Sequence, residues 1–228
     1  MFIGHFSIGF GAKKLAPEIS LGWLFLAAQF LDLLWPTLLL LDLEQVAISP
    51  GITKVTPLDF VDYPISHSLA IVTVWGLLAG LVTWFFRRNI RYCVVIALCV
   101  ISHWFLDLVV HRPDLPVLPG DSIKLGLGLW NYPIMTALVE GILFSAGVLL
   151  YCRATAAKNK FGRYGLIALV AFLILIQVGN MAGPPPPNVT AIAWAGQLQW
   201  LLVMLAFLID KNRVARQNSP AHQGLALT

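Results

Sequence analysis

Charge is what this sequence has least of. Lys, Arg, Asp and Glu make up 11% of its 228 residues, against 58% that are hydrophobic, whereas soluble domains carry roughly 25% charged residues. A chain so poor in charge cannot cover a water-facing surface, so a soluble protein is excluded. The mean hydropathy of +0.80 reads as an integral membrane protein. Cysteine is equally sparse: Cys93, Cys99 and Cys152 lie in apolar segments without a Cys-x-x-Cys pair. An odd number without metal-ligand spacing reads as small packing residues. Gly-x-Ser-x-Gly is missing too, so Ser66-His67-Ser68 makes a weak case for a Ser/His/Asp hydrolase. No internal repeat is found, and an inverted-repeat transporter loses its usual sequence sign. The net charge of +4 says little about nucleic acid in such a chain, and no nucleic-acid partner is expected. The opening MFIGHFSIGFGAKKL lacks a basic start and its lysines follow the apolar run. It is therefore expected to remain on the mature protein rather than to be a cleaved signal.

What the chain has in abundance is apolar runs. A membrane span needs ~20 mostly apolar residues, and six stretches qualify: Leu21–Leu41, Ser68–Phe86, Tyr92–Val110, Trp130–Cys152, Leu166–Met181 and Ala191–Ile209. Ahead of them Phe2–Ala12 is apolar but too short to cross alone. The expected fold is an all-α integral membrane protein, a six-span transmembrane helix bundle preceded by a short N-terminal re-entrant or interfacial helix. Residues 1–216 form one transmembrane domain in this reading, with the candidate site inside 1–152, and 217–228 form a polar tail expected to be disordered. Twelve of the fifteen Lys and Arg residues flank one set of span ends, leaving Lys54, Arg112 and Lys124 for the other. The positive-inside rule places the basic loops and the C-terminus in the cytoplasm and the protein in the cytoplasmic membrane.

Against this background the stretch SHWFLDLVVHRPD stands out. His103, Asp107 and His111 recur every four residues, a step of only ~40° and ~6 Å along a helix, so they line one face of the third span. The other ionisable residues within or at the mouth of apolar segments are His5, Asp32, His67 and Glu140. With the topology above, they all fall near the midplane or in the outer half. Ionisable groups in hydrocarbon cost at least ~2.5–3.5 kcal/mol each on insertion scales. Gathered at one depth, they make the His/carboxylate set that zinc favours, with donors enough for one or two divalent ions and a bridging carboxylate. Each has a plainer reading. His5 would lie at the interface, Asp32 before Trp35-Pro36 would stabilise a kink, and Glu140 would bond a neighbouring helix. Arg112 and Lys124 are candidates to bind an anionic substrate group, although Arg112 also has Asp114 for a partner. Asn131 and Tyr132 open the fourth span and would orient ligands.

In these residues and their order the chain resembles the membrane-bound metal-dependent hydrolases of the DUF457 group. That group is similar in motif order to the zinc-dependent phospholipase C and P1 nuclease superfamily, which hydrolyses phosphoesters on an all-helical scaffold. The resemblance implies a core metal set of Asp32, His67, His103 and Asp107, with Asp107 as bridge, His5 on a second metal, and His111 and Glu140 completing a further site. It covers residues 1–145 and leaves spans five and six unaccounted for. The histidine that precedes the superfamily's second-site glutamate is missing, since Thr136 stands four residues before Glu140. The leading expectation is a hydrolase of a lipid phosphoester at the outer leaflet, with Asp32, Asp107 and Glu140 as catalytic carboxylates. The alternatives are a metal-ion or proton transporter, and a structural membrane protein without catalysis.

Overall fold

The computed structural model describes residues 1–216; the tail expected over 217–228 lies outside the described residues. The protein is mostly helical. The first helix, α1 (Ile3–Ala12), is not interfacial: eight of its ten residues are buried. It packs inside the bundle, where it meets most of the longer helices. The expected first span is broken. Its halves, α2 (Leu21–Ala28) and α3 (Phe30–Leu40), meet at Gln29 with a bend of 57°. The bend does not fall at Pro36, which sits inside α3. Proline offers no N–H to the carbonyl four residues back, and Gln199 Nε2 donates to that Asp32 carbonyl at 3.4 Å instead.

After α3 the chain forms an antiparallel hairpin, β1 (Gln45–Ile48) and β2 (Leu58–Asp62), and a single helical turn, α4 (Pro64–His67). Two long helices follow, α5 (Leu69–Arg87) and α6 (Ile90–Val110), joined by a left-handed Arg88 and capped by Asn89. Gly76 and Gly80 let them approach, since a Cβ on Gly76 would come within 2.7 Å of Ile101. A short ladder, β3 (Leu115–Pro116) with β4 (Lys124–Leu125), precedes α7 (Pro133–Ala154). At the opposite end β5 (Thr155–Ala157) pairs with the last strand, β6 (Arg213–Ala215). Between them run α8 (Lys160–Ala182), α9 (Val189–Gln197) and α10 (Gln199–Lys211).

Among the described residues five helices are long and apolar enough to cross a membrane, α9–α10 counting as one, and six if α2–α3 is one bent span. Polarity differs between the two ends. At one end Lys13 Nζ meets Asp210 at 2.7 Å, and Tyr151 donates to the other oxygen of Asp210. At the other end lie both loop hairpins. Between them the packing of α1 on α2 and α7 is aromatic, with Phe6, Phe10 and Phe25 fully buried.

Candidate metal centre

Four elements bring their polar residues to one place. His103 and Asp107, one turn apart on α6, supply one wall. Asp32 comes from the first turn of α3, His67 from the end of α4, and His5 from α1. Two overlapping groups, His5/His103/Asp107 and Asp32/His67/His103, have ligand atoms within 4.8 Å of one another and could hold a metal ion. His103 Nε2 lies 3.2 Å from Asp107 Oδ2 and 3.6 Å from Asp32 Oδ1, and His67 Nε2 lies 3.8 Å from each of these oxygens. Donors ~2.0–2.2 Å from a tetrahedral zinc stand roughly 3.3–3.6 Å apart, and these imidazole–carboxylate distances come close to such edges. The second carboxylate oxygen of Asp107 accepts from His5 Nε2 at 3.0 Å and also pairs with the Met1 amino group.

The imidazoles are aimed by bonds made on their far nitrogens. His103 Nδ1 donates to the carbonyl of Ala28 at 2.9 Å. Ala28 is the last residue of α2, so the break at Gln29 supplies an acceptor that a continuous helix would have spent on itself. With Nδ1 so engaged, Nε2 turns its lone pair toward the carboxylates. This atom is buried and has no hydrogen-bond partner among the described residues, as suits a metal-ligating nitrogen. His67 is aimed by a relay. Glu44 Oε1 accepts from the Ile65 and Ser66 amides at 2.7 Å each, Ser66 Oγ donates to Glu44 Oε2 at 2.5 Å, and His67 Nδ1 meets Ser66 Oγ at 2.6 Å. The proton order that satisfies every atom runs from His67 Nδ1–H to Ser66 and from Ser66 to Glu44. Ser66 thus stands between the acid and the histidine, whereas in a serine hydrolase the histidine stands between the other two. Burial raises the Glu44 carboxyl above the usual glutamate range, and the bonds from Ser66 and Ile65 oppose that rise.

Other expected site residues lie elsewhere. His111 is outside both donor groups because α6 ends at Val110. The chain turns extended there, and His111 Nδ1 bonds Asp114 at 2.9 Å with its ring against Trp130. Glu140 is likewise outside them. Its Oε2 accepts from the amides of Phe2 and Gly4 at 2.9 and 3.2 Å, which caps α1. Both residues nonetheless line the same cavity, of about 560 Å³, into which Asp32, His67 and Asp107 open. Arg112 does not line it. Its guanidinium pairs with Asp59 and with Asp114. Lys124 Nζ reaches the Val61 carbonyl at 3.5 Å, and it too is off the cavity wall. Lys54 does line the wall, as does Met1, whose amino group is paired with Asp107. Tyr132 is 64% exposed and Asn131 is also exposed, so neither orients a donor.

No protein-family model, curated protein or solved structure matches the chain. The chemistry must therefore be argued from the donors. Two imidazoles and two carboxylates suit zinc, and they suit manganese or iron as well. Glu44, Ser66 and the Ala28 carbonyl were not singled out from sequence as supports of the site. The adjacency of Ser66 and His67 was visible, but its meaning depends on Glu44 folding back across 22 residues.

Proposed function

We propose that the protein is a membrane-embedded, metal-dependent hydrolase that cleaves a lipid phosphoester. The observation that carries this reading is the set His67, His103, Asp32 and Asp107. Each imidazole Nε2 lies 3.2–3.8 Å from both carboxylates, and Asp32, His67 and Asp107 open onto a cavity large enough for a headgroup. A divalent ion held there would supply a nucleophile by lowering the pKa of water toward neutrality. Asp32 is the least enclosed of the carboxylates, with 23% of its side chain accessible, and it is placed to take the proton from that water. Asp107, buried and shared between His103 and His5, holds the centre together. Glu140 keeps α1, and with it His5, seated. The motif-order resemblance to the DUF457 group supports the same chemistry. The skewed distribution of basic residues supports a centre toward the outer leaflet of the cytoplasmic membrane.

A metal-ion or proton transporter needs polar groups that continue across the bundle. The path from the cluster toward the basic end meets Phe6, Phe10 and Phe25, all fully buried, which weighs against conduction. A purely structural role would instead pair His103, as an imidazolium, with Asp107 and Asp32, and it predicts no bound metal. The test is metal content per chain by mass spectrometry of detergent-purified protein, beside a His103→Ala/Asp107→Ala variant, followed by phosphate or headgroup release from lipid phosphoesters. Tightly held zinc, manganese or iron, lost in the folded variant together with hydrolysis, is the expected result. Absence of metal in both proteins after loading and washing would remove the hydrolase.

A further inference from the structure

We infer that the cavity beside the cluster is a headgroup site for an anionic lipid, entered sideways between α7 and α8 and built from Trp35, Gln177 and Lys54. The inference deepens the hydrolase reading and rests on it for the fate of the ligand.

The polar groups come first. Trp35 is one turn beyond Asp32 on α3 and so shares its face. It is 8% exposed, and its Nε1 is buried with no hydrogen-bond partner among the described residues. An indole N–H can only donate, so whatever fills the cavity must offer it an acceptor. Gln177 on α8 is in the same condition: 8% exposed, with Oε1 buried and unpartnered. Both side chains line the cavity that holds Asp32, His67 and Asp107. Buried polar groups are rarely left unpaired in native proteins, and these two, with the likewise unpartnered Oε1 of Gln199, line one cavity beside a candidate metal centre and define a built site. Of the carboxylates that line the cavity, Asp32 and Asp107 belong to the metal centre and Glu140 is engaged by the Phe2 and Gly4 amides, so Lys54 sets the preference for an anion, Arg112 being taken up by Asp59 and Asp114. An indole N–H, an ammonium and a metal centre together suit phosphate oxygens. The Gln177 carbonyl suits a hydroxyl on the same headgroup.

The way in is lateral. α7 packs on α1, α8 packs on α10, and these two consecutive helices have little contact with each other. Glu140 on α7 and Gln177, Gly179 and Asn180 on α8 line the cavity. A Cβ added to Gly179 would meet nothing within 4 Å. Outward from the cavity both helices expose apolar side chains, Leu138 and Ile142 on α7 and Leu175 and Val178 on α8. An acyl chain can lie along such a surface while its headgroup reaches Trp35. Free phosphate would satisfy the polar groups but has no use for the gap.

Native mass spectrometry of the full chain in detergent tests this, with a non-hydrolysable phosphonate analogue of phosphatidic acid as probe and inorganic phosphate in a parallel arm. Wild type should retain the analogue. Trp35→Phe and Gln177→Leu should weaken it about tenfold or more, as expected for lost bonds to a charged group. Gly179→Trp, which fills the gap, should do the same while leaving phosphate binding and metal content unchanged. Unaltered retention of the analogue in all three variants would overturn the site. Equal weakening of phosphate and analogue by Gly179→Trp would overturn lateral entry in favour of a soluble ligand. Wild-type protein that binds the analogue yet never cleaves phosphatidic acid would remove the hydrolase and leave this site standing.

Discussion

His5 and His103 lie face to face, ring centroids 3.5 Å apart and planes within 6° of parallel. Each addresses a different oxygen of Asp107 through its Nε2, at 3.0 and 3.2 Å. One carboxylate therefore ties α1 to α6 and faces His67 of α4 at the same time. Asp107→Asn keeps the shape and removes the charge. Its metal affinity should fall more than ~100-fold, beyond what loss of an outer support brings, as read by competition with a chelating dye. Unchanged affinity would move the centre away from α6.

Glu44→Gln should reverse the tautomer of His67. The new amide must keep its oxygen toward the Ile65 and Ser66 N–H groups, so its NH2 faces Ser66 Oγ. Ser66 then donates to His67 Nδ1 instead of accepting from it, and the proton moves to Nε2, the atom that faces the centre. The expected loss of metal affinity is ~10–100-fold, with a change in the nitrogen-15 shifts of His67. A serine nucleophile at Ser66 predicts instead covalent labelling by a fluorophosphonate, which this arrangement should not show.

The same residue sets a pH dependence. Burial raises the folded-state pKa of Glu44, so the folded protein binds that proton more tightly than the unfolded chain does. The resulting stability is fully present below the ordinary glutamate value of ~4.3 and is lost as pH rises through the higher folded value. In metal-free protein, the difference in melting temperature between wild type and Glu44→Gln should decline with pH across that window. A flat difference would contradict it.

Glu140→Ala separates a helix cap from a metal ligand. It leaves the Phe2 and Gly4 amides without their acceptor, which should destabilise the fold by ~1–3 kcal/mol in thermal unfolding. Metal content should persist, because Glu140 is in neither donor group. Loss of metal at full stability would restore Glu140 to the ligand set.

Hydropathy made the long helices legible, because a span needs only length and apolar content. The pair His103 and Asp107 was legible for a related reason: both lie well inside one helix, where a step of four keeps them on one face. His111 obeys the same spacing but lies beyond the last turn, and the spacing carries no notice of where α6 stops. The break at Gln29 was hidden behind the louder signal of Pro36. Proline within a helix removes one bond, which Gln199 repairs from 167 residues away. Arg112 has in Asp114 the local partner its neighbourhood suggests, whereas Asp59 reaches it only through the β1–β2 hairpin. Such supports belong to tertiary structure, and no local pattern announces them.

The burial of α1 also fixes an order of events during synthesis. Ser7 lies against the backbone of Gly147, Phe10 against Tyr151, and the first amides against Glu140. All of these partners belong to α7, made more than a hundred residues later. Asp32, His67, His103 and Asp107 are in the chain before α7 exists, and they can assemble without it. His5 has only the α2 and α6 side of its seat until then, because α7 supplies the rest of the packing around α1 and the acceptor for its first amides. The earliest-made donor is therefore the last to be fixed in place, and a ribosome stalled ahead of α7 should hold a centre whose fifth side chain is loosely held.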